Sequence, residues 1–236
     1  MEKSAAYLVD FDGTITDSDL TCELAAYFGG PAYLEVENQY RKREIPIRLW
    51  LEKIVSLLPP DMEELHKKAL EWAGVRPGFL DFLNYASEQN SPVIVASDGL
   101  GYYIEPVLRK FGALAFVDLL YCNNTSINEK GTLEIITPHA HPICRVCGNC
   151  KANHVCDMKD EGRPVIYIGD GSNDRYGASW ADHICAREGL AEHCRENSFS
   201  YTPWDDFHDI IMVEKPQFRD RSERSLCCPR GNGIKE

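Results

Sequence analysis

The 236-residue chain has no apolar run approaching the roughly 20 residues that span a bilayer, so no transmembrane helix is expected. It is also short of positive charge, with 25 Lys and Arg against 37 Asp and Glu and a net charge of -12. That balance argues against nucleic-acid or anionic-membrane partners, which reward basic patches. It does not exclude a small anionic substrate, because a bound cation and one lysine reverse the sign locally. No separate apolar stretch with a cleavage site precedes the first strand: Met1-Glu-Lys-Ser runs straight into it, and a cytoplasmic location is expected. There the ten cysteines are expected as thiols or metal ligands rather than disulfides. No internal repeat is present. What remains, 44% hydrophobic and 26% charged, is an ordinary globular composition, long enough for one large domain or a domain with an insert.

The chain is organised around Ala6-Tyr-Leu-Val-Asp10-Phe-Asp12-Gly-Thr14-Ile-Thr16. A short apolar run ends in two carboxylates two residues apart, and Gly13 breaks it. Alternation along a strand is expected to place Asp10 and Asp12 on one side of its carboxyl end, where open α/β sheets bind ligands. Such carboxylates repel unless a cation lies between them or one takes a proton. The pattern predicts a metal-dependent site.

From Asp17 to Glu88 there is no convincing strand. Helices are predicted over 19–28, over 46–58, from an N-cap at Asp61 to Gly74, and over 77–86, from apolar stripes and their Gly and Pro stops. This reads as an all-helical insert over 17–89 between two parts of a core, 1–16 and 90–214. The sheet resumes at Pro92 to Ser97, followed by a helix over 102–111 and a strand over 115–121. A hairpin or irregular excursion is expected over 123–138, with its turn at 128–131, within a Cys-rich excursion spanning 122–150. Val165 to Gly169 and Asp182 to Ala186 are two further strands. Alternating strands and helices predict an α/β, Rossmann-like, doubly wound parallel sheet. Charge, Gly and Pro dominate from 215 to 236, and a disordered tail is expected there.

Three strand ends carry polar clusters: Asp10 and Asp12, Ser97-Asp98-Gly99, and Asp170-Gly-Ser-Asn-Asp174. In a parallel sheet such ends converge, so one site containing them is expected, with Lys151 preceding the last strand. On these motifs the sequence resembles the haloacid dehalogenase superfamily, with Asp10-Phe-Asp12-Gly-Thr14, Ser97, Lys151 and Gly169-Asp170-Gly-Ser-Asn-Asp174 as its four motifs. The helical insert lies where that superfamily carries a type-1 cap.

The resemblance implies a phosphatase or phosphotransferase working through an aspartyl-phosphate, with Asp10 as nucleophile and Asp12 as acid and base. It implies Mg²⁺ held by Asp10, the backbone carbonyl of Asp12 and Asp170, with Asp174 as a further ligand or its support. Ser97, the Gly99 amide and Lys151 would hold the phosphoryl group of a small phosphorylated metabolite. Asp98 either faces the substrate or only shapes its turn; relatives generally read Ser-Gly-Gly at this motif. Asp19 either faces the substrate or caps the first insert helix. Thr14 and Thr16 either serve the site or bond the local backbone.

Cys144-Arg-Val-Cys147-Gly-Asn-Cys150 runs directly into Lys151. Either these are reduced thiols packing a tight loop, or Cys144, Cys147 and Cys150 hold a structural Zn²⁺, completed by His139, His141, Cys122, His154 or Cys156. The loop, with the stretch from Gly177 to Phe207, is similar to the methionine-salvage phosphatases acting on 2-hydroxy-3-keto-5-methylthiopentenyl-1-phosphate. Phosphocholine/phosphoethanolamine phosphatases share the cysteines before the lysine, and phosphoserine phosphatases share the core motifs. A monomer or homodimer is expected.

Overall fold

A computed structural model of the chain describes residues 3–213 and the dipeptides 227–228 and 233–234, which pair as a two-residue antiparallel ladder. The tail expected over 215–236 otherwise lies outside the described residues.

Strand β1 (Ala6–Val9) is buried on every residue and leads into a tight turn. Four helices follow: α1 (Leu20–Gly29), α2 (Pro31–Arg41), α3 (Ile47–Val55) and α4 (Met62–Trp72). Asp19 caps α1 by accepting from the Cys22 amide at 2.8 Å, and Asp61 caps α4 by accepting from Glu63 and Glu64. The chain re-enters beside its exit: Thr16 and Val75 form an antiparallel bridge, and the Arg76 amide donates to Ile15 O at 2.8 Å. The Arg76 guanidinium donates to the carbonyls of Gly13 and Thr14, at 2.7 and 3.0 Å.

Next come α5 (Phe79–Glu88), β2 (Val93–Leu100), α6 (Gly101–Lys110), β3 (Leu119–Ile127) and β4 (Leu133–Ile136). The chain ends in α7 (Lys151–Asp160), β5 (Val165–Gly169), α8 (Arg175–Ala178), β6 (His183–Ala186), α9 (Glu188–Glu196), β7 (Thr202–Pro203) and α10 (Phe207–Ile211). The sheet order is β4-β3-β2-β1-β5-β6-β7, parallel except for β4, which forms the expected hairpin with β3.

Strand alternation divides the core. Tyr7 and Val9 pack with Phe79, Phe82, Tyr103, Ile104 and Phe207 on one face. Ala6 and Leu8 pack with Val155, Met158, Leu190 and Cys194 on the other. Burying each large apolar side chain contributes roughly 2 kcal/mol. Helix α5, which the sequence groups with the insert, lies against the sheet instead: the Phe82 ring meets Tyr7 edge-on at 4.9 Å. The insert has its own smaller cluster of Ala25, Tyr33, Ile47, Trp50, Leu51 and Ile54. Val146 and Cys147 of the Cys-rich loop pack against it, and the Arg48 amide donates to Val146 O at 2.9 Å.

Candidate active site

β1, β2 and β5 are the central strands, and their carboxyl ends bring the three polar clusters together. Asp10 follows β1 directly; its Oδ1 accepts from the Phe11 amide at 2.8 Å and lies 2.7 Å from Lys151 Nζ. The chain then turns through five residues, with the Thr16 amide donating to Phe11 O at 3.0 Å. Gly13 sits at φ +79°, which glycine adopts without strain, and a Cβ there would approach Asp170 Oδ2 to 2.5 Å.

This turn separates the two carboxylates that strand alternation would align. The strand ends at Val9, so Asp12 does not face the partners of Asp10. Its Oδ2 accepts from Tyr103 Oη at 2.6 Å and its Oδ1 from the Leu20 amide at 3.1 Å. Burial, then the charge of Asp19, pushes the Asp12 carboxyl well above the usual carboxylate range. Among the described residues, the carboxylates that converge are Asp10, Asp170 and Asp174, with donor oxygens within 4.8 Å of one another. The Asp12 side chain is not in that set; the ligand expected of Asp12 is its backbone carbonyl.

Asp174 is fully buried and receives four donors. Lys151 Nζ and Tyr167 Oη bond Oδ1 at 2.7 and 2.6 Å, while the Asp170 and Gly171 amides bond Oδ2 at 3.1 and 2.9 Å. Asp170 Oδ1 accepts from Thr14 Oγ1 at 2.6 Å, whereas Thr16 Oγ1 donates to Ser18 O at 2.7 Å and is spent on the turn. Burial, then Asp174, pushes Asp170 up to about 7. Burial and Asp174 likewise raise Asp10 well above its ordinary value. Burial opposes the charge on Lys151, but Asp10 and Asp174 outweigh it and hold its ammonium strongly protonated. Three carboxylates against one ammonium leave two negative charges, a balance that suits a hard divalent cation. The donor set fits one.

Ser97 is buried, and its Oγ accepts from the Gly99 amide at 2.8 Å. The cluster occupies an irregularity of β2: Ala96 pairs with Tyr121 and the next pair is Leu100 with Asn123. Asp98 Oδ1 accepts from the Asn149 amide at 2.8 Å, so this carboxylate pins the loop that delivers Lys151 while also lining the cavity. The Asn149 side chain donates to Ser97 O and Tyr121 O, at 3.0 and 2.9 Å.

Of the two alternatives for the Cys-rich loop, zinc is not supported: among the described residues the one set of three or more His, Cys, Asp or Glu side chains close enough to share a metal is the three aspartates. His141 Nδ1 accepts from the Ile143 and Cys144 amides, at 3.1 and 2.8 Å. His154 stacks on Tyr121 at 3.8 Å, its Nε2 is 2.6 Å from Asn149 Oδ1, and burial lowers it to about 3. Loop folding uses those nitrogens.

The strand ends open into a cavity of about 420 Å³. Asp10, Asp12, Ser97, Asp98 and Lys151 form its floor; Asp19, Cys22, Tyr33, Glu37, Tyr40 and Trp50 face them from the insert. Asp19 thus both caps α1 and reaches the cavity, where burial raises its carboxyl. Tyr40 Oη donates to Asn173 Oδ1 at 2.5 Å across the gap between insert and core. Sequence reasoning missed Tyr103, Tyr167, Asn149, Glu37 and Tyr40. Only Asn149, two residues before Lys151, carried any signal.

The family model for haloacid dehalogenase-like hydrolases matches residues 7–179. Curated relatives from Bacillus thuringiensis (strain Al Hakam) and Bacillus cereus (strain G9842), both named 2-hydroxy-3-keto-5-methylthiopentenyl-1-phosphate phosphatase, are 33% identical to the chain over 207 and 203 residues. Each alignment covers 85% of this chain and 91% of the relative. A substrate-bound phosphoserine phosphatase superimposes with a TM-score of 0.70 at 20% identity, covering 91% of this chain and all of the other. A phospho-aspartyl intermediate analogue of phosphoserine phosphatase gives 0.70 at 19%, covering 90% and 100%. At these identities the structures establish a shared fold.

Proposed function

The chain belongs to the haloacid dehalogenase-like hydrolases and is a phosphatase of that family, and we propose that it cleaves a small phosphomonoester through a phosphoenzyme formed on Asp10. Lys151 and the Phe11 amide both hold Asp10 Oδ1, so Oδ2 is the oxygen we assign to the attack. As Oδ2 bonds phosphorus, the bond to the leaving oxygen breaks, and that oxygen takes a proton from Asp12. Asp12 then accepts a proton from the water that displaces phosphate from Asp10. A raised carboxyl pKa suits both duties.

A Mg²⁺ ion held by Asp10, the Asp12 carbonyl and Asp170 supplies, when bound, the charge that lets a phosphate dianion approach a carboxylate. Asp174 already receives four hydrogen bonds, so we assign it to orienting Lys151 and the 170–171 backbone. Ser97 Oγ, the Gly99 amide and Lys151 would bond the phosphoryl oxygens, with Asp98 fixing the lysine's loop. The insert, as a cap over 17–74, closes the cavity against water.

The substrate we favour is 2-hydroxy-3-keto-5-methylthiopentenyl-1-phosphate, carried by the 33% identity to phosphatases of that name across 85% of the chain. Asp19 and Glu37 on the cavity wall support a second reading, a leaving group bearing a cation, as in phosphoserine or phosphoethanolamine. Comparing kcat/KM over those compounds and phosphocholine decides between them. A preference for the amines would displace the first reading. Asp10→Asn should abolish turnover of every substrate with Mg²⁺ present; retained turnover removes the nucleophile. The reading includes a cytoplasmic monomer or homodimer with no nucleic-acid or membrane partner, in keeping with the net charge of -12.

A further inference from the structure

Tyr103 is fully buried in α6 among apolar side chains, where a phenylalanine would pack equally well. Its hydroxyl instead meets two residues that line the cavity, Asp12 and Thr21. Tyr103 Oη donates to Asp12 Oδ2 at 2.6 Å and lies 2.6 Å from Thr21 Oγ1. A phenol has one proton; with that proton on Asp12, the Thr21 hydroxyl must donate to Tyr103. The other oxygen, Asp12 Oδ1, accepts from the Leu20 amide at 3.1 Å. Leu20 and Thr21 open α1, the first helix of the insert, so that helix holds one oxygen of Asp12 directly and the other through Tyr103. Gly99 keeps the path clear, since a Cβ there would collide with both Tyr103 Oη and Asp12 Oδ2.

We propose that Tyr103 is a positioning residue for Asp12, tying the orientation of its carboxyl to the seating of α1 on the core. The inference rests on the reading of Asp12 as acid and base. A carboxyl rotates freely about its last bond, and proton delivery requires one oxygen within hydrogen-bond reach of the leaving atom. With α1 seated both oxygens are held; with α1 displaced, Oδ1 would lose the Leu20 amide and Tyr103 would lose Thr21, leaving Oδ2 to the phenol of α6 and to Ser97 Oγ at 3.4 Å. Thr21 acts at one remove, through the phenol.

The test compares wild type, Tyr103→Phe and Asp12→Asn on p-nitrophenyl, phenyl and primary alkyl phosphates, in order of increasing basicity of the leaving oxygen. The readout is kcat/KM, which includes departure of the leaving group but not hydrolysis of the phosphoenzyme common to all three. A good leaving group needs little help from an acid; an alkoxide needs all of it. Tyr103→Phe is expected to lose about threefold on the nitrophenyl ester and about 30-fold or more on the alkyl ester, within the range of general acid catalysis. Thr21→Val should show the same slope at smaller amplitude, and it leaves Tyr103 itself intact if the phenylalanine variant folds poorly. A loss equal on all three esters, or no loss, overturns the positioning role. Asp12→Asn separates the two levels. A steep series for it with a flat series for Tyr103→Phe overturns only Tyr103, whereas a flat series for Asp12→Asn removes the acid itself.

Discussion

Replacing Lys151 by Met should weaken the protein without metal yet tighten its hold on Mg²⁺. The ammonium is 3% exposed and lies 2.7 Å from both Asp10 and Asp174. Removing one member of such a buried network costs about 3–5 kcal/mol, mostly because the remaining charges are left uncompensated. In chelator, the variant's unfolding midpoint should fall accordingly. A divalent cation among Asp10, Asp170 and Asp174 would compensate the same carboxylates, and in wild type it is repelled by the lysine. At an effective dielectric constant of about 20, a single and a double positive charge roughly 5 Å apart repel by about 7 kcal/mol, which relaxation reduces to about 2. That corresponds to about 30-fold tighter Mg²⁺ binding in Lys151→Met. Turnover should nonetheless fall at least about 100-fold, because the cation proposed to meet the phosphoryl oxygens is gone. Calorimetric titration of Mg²⁺ into chelator-treated wild type and variant, with melts in both states, reads all three effects. A folded variant that binds Mg²⁺ no more tightly than wild type would refute the claim that lysine and metal balance the same charges.

The Mg²⁺ affinity of wild type should depend on pH. Without metal, Asp170 is pushed up to about 7, above its unfolded value, so the folded protein retains a proton that the cation must displace. Apparent affinity should therefore fall about tenfold or more per pH unit below 7 and level off above it. The linked stability has the matching sign: metal-free protein should lose stability as pH rises through 7, with Mg²⁺ restoring most at the alkaline end. An affinity unchanged between pH 6 and 8 would remove Asp170 from the cation site. Asp98→Ala should weaken the loop before Lys151, because Asp98 Oδ1 receives the Asn149 amide; a stability loss of about 1–2 kcal/mol and a raised KM are expected, checked by melts and steady-state kinetics. Zinc measured by elemental analysis of chelator-washed protein should be far below one per chain, and stoichiometric zinc would contradict the loop geometry.

The sheet was legible because each central strand is a short, β-branched apolar run ending in a polar cluster, and the clusters mark the site at the same time. Partners were harder to read than faces. Phe79, Phe82 and Leu83 make a clear stripe, but a stripe does not say whether it meets the insert or the sheet. Helix α2 escaped notice because it buries one residue, Tyr33. β3 starts at Leu119 rather than at Ala115, since a short 3-10 turn over Leu114–Phe116 occupies the expected strand start. The thiols left two alternatives open because cysteine spacing is equally compatible with zinc and with packing, and here Cys147 packs on the insert cluster. Tyr103 could not be told from a core aromatic until its hydroxyl was placed.

The paired linkers at Thr16 and Val75 have a consequence for how such an enzyme can be altered. Both ends of the insert meet one strand spacing apart, roughly 5 Å, and Arg76 staples the junction to the turn after Asp10. A segment whose termini already coincide can be exchanged without stretching its host, as tolerated domain insertions are. The helices over 17–74 are therefore a cassette: another bundle with adjacent ends could be spliced at the same bridge, changing which molecules are admitted while the phosphoryl chemistry beneath stays in place.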